Sequence, residues 1–111
     1  MISEMERPGG PWTFLSNHSH VLIALSRDPT LRVRDLGALV GITERAVANI
    51  LADLEEAEVL SRERSGRRNT YGINQDAPLR HPLESHRKVR DILQLAKAEA
   101  QSTRQERRST T

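Results

Sequence analysis

Apolar residues recur along this chain with two different periods. Near the start, Val21, Leu22 and Leu25 fall on one helical face, with Ile23 and Ala24 widening it. Ser16 or Asn17 can cap that helix. Asp28-Pro29 ends it near Arg27, because a residue before proline avoids the helical region. Leu31-Arg32-Val33 reads as a short extended piece. A second helix is expected from about Arg34 to Val40, burying Leu36, Leu39 and Val40 and stopped by Gly41. A third is expected from about Glu44 to Ala57. Thr43 caps it, Glu44 suits the positive end of its dipole, and Val47, Ile50, Leu51 and Leu54 form its buried face. Glu44, Arg45, Ala48, Asn49 and Ala52 occupy the opposite side.

After this helix the pattern shortens to alternation. Val59 to Arg64 and Asn69 to Asn74 read as two strands, joined by Ser65-Gly66-Arg67-Arg68 with Gly66 free to take positive φ. Alternation places Arg62 and Arg64 on one face, so at least one is expected to point back to the body. Two prolines mark residues 76–82 as a linker. A fourth helix is expected over residues 83–101, with Leu83, Val89, Ile92, Leu93, Ala96 and Ala100 available to a partner. Residues 1–11 hold Pro8, Gly9, Gly10 and Pro11 and read as a flexible leader, which Trp12 and Phe14 are expected to tuck onto the core. Residues 102–111 read as a polar, disordered tail. The fold class is therefore mainly α with a small β-hairpin, its body spanning residues 12–75.

Composition narrows the chemistry. With 111 residues the chain makes one small domain, too short for a large catalytic cleft beside a regulatory domain. It has no Cys, which excludes disulfides, thiolate metal sites and Cys nucleophiles. The opening MISEMERPGG has acids and no apolar run, and Val21 to Leu25 is far too short to span a bilayer. A cytoplasmic location without membrane contact is expected. No nucleophile-elbow or phosphate-loop pattern is present, so no enzyme is expected. Of the four His, His18 and His20 point to different helix faces, and His81 and His86 lack partnering carboxylates at ligand spacing. No metal or cofactor is expected. Net charge is only +2, and residues 11–75 balance eight Arg against eight acids, but Arg outnumbers Lys fifteen to two. The planar guanidinium fork suits phosphates and guanine edges.

The order helix, extended piece, helix, tight turn, helix, hairpin, carried by RDLGALVGITERAVANILADLEEAEVL, resembles the winged helix-turn-helix domain of MarR-like and ArsR-like bacterial transcription regulators. The resemblance covers residues 12–75. Gly37 is the small residue where the two helices touch, and Gly41 supplies the unusual φ of the turn. Leu36, Val40, Ile42, Val47 and Ile50 fill the wedge between them. Two positions depart from the family pattern. The contact residue is more often Ala than Gly. Glu58 stands where a Gly often ends the third helix, and a left-handed Glu is strained, so a different helix end and hairpin angle are expected.

The resemblance implies that the third helix enters the major groove of double-stranded DNA, with Thr43, Glu44, Arg45, Ala48 and Asn49 facing it. Arg45 suits guanine O6 and N7, and Asn49 suits adenine N6 and N7. The plain alternative is a surface pair bonded to Glu44 or Asp53. Arg62, Arg64, Arg67, Arg68 and Asn69 on the hairpin would lie on the adjacent minor groove or backbone, and Arg32 and Arg34 would meet phosphates. The fourth helix is expected to pair with its copy in a homodimer, its other option being its own domain. A small-molecule effector stays open, with room only in the dimer seam or under the first helix. The competing function is a winged protein-interaction or scaffold module that does not read DNA, which the balanced charge of residues 11–75 keeps in play.

Overall fold

The computed structural model describes residues 8–97, in the order α1 (Asn17–Arg27), α2 (Val33–Val40), α3 (Glu44–Glu56), β1 (Leu60–Ser65), β2 (Arg68–Ile73) and α4 (Val89–Leu95). The expected contact residue Ala100 and the tail 102–111 lie outside the described residues, as do the first seven residues of the leader.

The helices start where short polar side chains can satisfy free N–H groups. Ser16 Oγ accepts from the Ser19 amide at 3.2 Å, and Thr43 Oγ1 accepts from the Ala46 amide at 3.0 Å. Asp35 and Asp91 reach back instead, accepting from the Arg32 and Lys88 amides. The wedge closes on Val21, Leu25, Leu36 and Val47, the largest fully buried side chains, with Leu22, Ile50, Leu51 and Leu54 around them. Val40 and Ile42 pack against this core. Leu39 does not join it and stays 60% exposed, because α2 meets its neighbours along the Leu36–Val40 edge.

The crossing of α2 and α3 depends on glycine. A methyl group at Gly37 would sit 2.9 Å from the Ile42 carbonyl oxygen, closer than side-chain carbons come to backbone. Alanine, the commoner residue at this contact, therefore does not fit here without moving the turn. Gly41 takes φ +85° and caps α2.

α3 ends in the left-handed manner despite its glutamate. Glu58 has φ +61°. The Glu58 amide donates to Glu55 C=O (3.0 Å) and the Val59 amide to Leu54 C=O (2.9 Å), the paired bonds of a Schellman cap. The expectation of a different helix end thus fails: two cap bonds and the burial of Val59 offset the strain at Glu58. Glu58→Gly is expected to raise the melting temperature by several degrees, since a left-handed non-glycine residue costs about 1–2 kcal/mol, less the entropy glycine adds to the unfolded chain. A thermal melt checks it; a lower midpoint would contradict the strain.

β1 and β2 pair antiparallel, Leu60 opposite Ile73, Arg62 opposite Tyr71 and Arg64 opposite Asn69. One face of the hairpin thus carries the buried Leu60 and Tyr71 and rests on the body. The expected extended piece at Leu31–Val33 is not a strand. Val33 already belongs to α2, and the free edge of β2 is met by one bond, from the Tyr71 amide to Pro29 C=O at 3.0 Å.

The segment after the hairpin is bound down rather than free. Leu79 N–H donates to Arg87 C=O and Val89 N–H to Ala77 C=O, each at 2.9 Å, and Ala77 is buried. This pairing holds residues 87 and 88 extended, so α4 begins at Val89 and not at Leu83, which lies in a turn and is 80% exposed. Val89 is buried in the domain's own core, and Leu93 packs against it. Trp12 and Phe14 stack edge to face with centroids 4.9 Å apart, yet stay 67% and 92% exposed. They satisfy each other instead of tucking the leader onto the core.

Candidate nucleic-acid interface

α3 presents two unlike halves. Thr43, Glu44, Arg45, Ala48 and Asn49 are all exposed along its N-terminal half, and Ala52 continues the same side. Cap geometry occupies one lone pair of the Thr43 hydroxyl and leaves its proton free to donate. Arg45 forms no ion pair, and Asn49 no side-chain hydrogen bond, among the described residues. The alternative that ties them to Glu44 or Asp53 is therefore not what the structure contains. Asp53 pairs with His18 of α1 instead, His18 Nε2 to Asp53 Oδ2 at 2.9 Å.

The C-terminal half of α3 carries Asp53, Glu55 and Glu56. Their negative charge would repel a phosphate backbone. The small side chains of Ala48 and Ala52 leave room for close approach on the side that bears Arg45 and Asn49.

The hairpin continues this surface. Arg62, Arg64, Arg67 and Arg68 are exposed and Asn69 is half-buried. They are not equivalent. Arg62 lies 3.6 Å from Glu55 of α3, which makes it the side chain that turns back to the body. Arg64 folds over the turn and donates to Gly66 C=O at 3.2 Å. Arg67 sits in the turn itself, and Arg68 opens β2 on the face away from Tyr71. The Thr30 hydroxyl and amide, and then the Arg68 charge, hold the Asp28 carboxyl below its ordinary range. These contacts of a charged Asp28 persist above the ordinary carboxylate range and are lost as pH falls through its depressed value.

Arg32 and Arg34 flank the start of α2 and are both exposed. Arg32 lies 3.8 Å from Asp35, while Arg34 is without an ion pair among the described residues. The partners of Arg62 and Asp53 are not visible in the sequence. Glu55 and His18 lie on other elements, and no periodicity joins them to their partners. Among the described residues no group of His and carboxylates is placed to hold a metal ion.

A cleft of about 740 Å³ lies on the far side of α3, under α1. Leu22, Leu54, Val59 and Val89 form its floor, and Phe14 and His81 stand at its edge. No helix among the described residues is long and apolar enough to cross a membrane.

A three-helix wedge with one exposed helix face beside an Arg-bearing hairpin is a winged helix-turn-helix fold. Among solved structures the chain is similar to MepR, a transcription regulator of the Staphylococcus aureus multidrug efflux pump MepA. The TM-score is 0.50 at 16% identity, over 86% of this chain and 74% of that one. It is also similar to a mutant of S. aureus MepR, with TM-score 0.54 at 16% identity over 88% of this chain. This chain spans 66% of that structure's length. No family model matches the sequence, and no curated protein does either.

Proposed function

We propose that this chain is a sequence-specific DNA-binding transcription regulator of bacterial type that acts by binding alone. The supporting observation is the exposed face of Thr43, Glu44, Arg45, Ala48 and Asn49, which carries no ion pair to the body among the described residues, next to a hairpin that is anchored by the buried Tyr71 and exposes Arg67 in its turn and Arg68 on the opposite face. In this reading the N-terminal half of α3 enters the major groove. Arg45 reads guanine and Asn49 reads adenine. Thr43 and Arg34 hold phosphates, with Arg32 beside them. Arg67 and Arg68 grip the neighbouring backbone, Arg64 and Asn69 support the turn, and Arg62 braces the hairpin against Glu55.

A homodimer belongs to this proposal, since two copies double the contacts. Val89 is spent in the domain's own core, so the seam would draw on Leu83 and on the outer side of α4, where Ile92 and Ala96 are half-buried and Leu95 is 75% exposed. An effector, if one acts, would enter the cleft under α1, whose volume suits a small molecule. The location would be the cytoplasm.

The test is a salt titration. Each phosphate neutralised contributes about −0.9 to the slope of log affinity against log salt on duplex DNA. Arg67→Ala/Arg68→Ala is expected to reduce that slope by about 2 and to weaken binding at least about 10-fold near physiological salt. Fluorescence anisotropy with a labelled duplex measures both. A parent protein that ignores DNA, or a double variant with an unchanged slope, would favour the scaffold reading.

A further inference from the structure

One acidic side chain stands on the leading face of α3. Glu44, Arg45, Ala48 and Asn49 are all exposed there. Helical spacing puts Glu44 and Ala48 in one row and Arg45 and Asn49 in the next, about 100° further round the axis. Glu44 enters no ion pair among the described residues. The comparable acids are in use. Asp35 and Asp91, in the first turns of α2 and α4, accept from the amides of Arg32 and Lys88. Asp53 meets His18 and Glu55 meets Arg62. The cap of α3 is already made by Thr43, whose Oγ1 accepts from the Ala46 amide at 3.0 Å. What the fold gains from Glu44 is only its place near the positive end of the helix dipole.

A bare carboxylate is costly on a face that enters a groove. Like charge on the phosphates repels it, and its lost hydration is not repaid unless it meets a donor. An ionised carboxylate can only accept. In the major groove guanine offers two acceptors, and thymine offers an acceptor and a methyl group. Adenine offers a donor with an acceptor beside it. Cytosine alone offers an amino donor, at N4, with no acceptor on the same base edge. Ala48, one turn on from Glu44, puts no bulk between that carboxylate and the groove floor. The Glu44 row is also turned away from the Arg45–Asn49 row, so it addresses a different base from theirs.

We infer that Glu44 is a specificity-determining residue that selects cytosine, its carboxylate accepting from the N4 amino group. The inference rests on the DNA-binding reading and deepens it. The experiment selects duplexes from a random pool with the full chain and with Glu44→Gln in parallel, and measures the affinity of both for one random labelled duplex. The parent motif should hold a cytosine position besides its guanine and adenine. Glutamine both accepts and donates, and suits adenine N6 and N7. That one position should therefore move to adenine in the variant, the preference for the cytosine duplex over its adenine counterpart falling roughly 5- to 150-fold. The random duplex should bind about 2- to 5-fold more tightly, since one like charge is gone. Loss of preference at that position alone would also support the inference. A motif unchanged at every position would overturn it, and a shifted melting temperature beside that unchanged motif would assign Glu44 to the helix dipole alone. A parent motif without cytosine would overturn it as well, while leaving the DNA-binding reading intact. A parent chain that enriches no duplex fails at the earlier step, and the parent arm alone tells the two failures apart.

Discussion

Alanine at both Arg45 and Asn49 is expected to erase most base preference while leaving general DNA affinity largely in place. Both residues are exposed on the N-terminal half of α3 and neither is engaged by the protein among the described residues, so truncation removes no internal bond. Each bidentate contact to a base edge discriminates by about 1–3 kcal/mol, and two together amount to roughly 30- to 10⁴-fold. The slope against salt should barely move, because base edges carry no condensed counterions. Competition between a preferred duplex and a random one measures the loss. Single variants should relax the preference at one base position each. Discrimination that survives the double change would remove α3 from the reading.

Leu36→Ala should have the second large effect, on the fold itself. Leu36 is fully buried where α2 meets α1 and α3. Truncating a leucine in such a site costs about 2–5 kcal/mol. For a domain of this size that is a large part of the whole stability, and the midpoint of thermal unfolding should fall by at least about 10 °C. Leu39→Ala, three residues on, should change stability by no more than about 0.5 kcal/mol, since Leu39 is 60% exposed. Urea or thermal melts of the two variants check the contrast. Equal losses would mean that α2 is turned differently on its neighbours.

That contrast also marks how far the sequence could be read. Period and caps were enough for α1, α3 and the hairpin, because Ser16, Thr43 and Asp28-Pro29 act locally and the Val47–Leu54 face repeats cleanly. Leu39 cannot be placed from the pattern, because a short helix of eight residues offers too few turns to define its buried edge. The true start of the fourth helix is hidden in the sequence, because nothing local shows that residues 87–89 pair with 77–79 across an intervening turn. Glu58 is the converse: its local cost argues against a left-handed cap, and the cap bonds with the burial of Val59 outweigh that cost. At the candidate site, exposure of Thr43, Glu44, Arg45, Ala48 and Asn49 followed from helix phase alone. The division of labour among the hairpin arginines does not, since Glu55 reaches Arg62 only through the fold and Arg64 bends to its own turn.

The most direct test of the central claim, that the leading half of α3 reads base edges, is selection of bound duplexes from a random pool, sequenced after several rounds. A short motif with guanine and adenine at fixed spacing should emerge, and Arg45→Ala should blur one position of it. Recovered duplexes that are as random as the starting pool would contradict the claim.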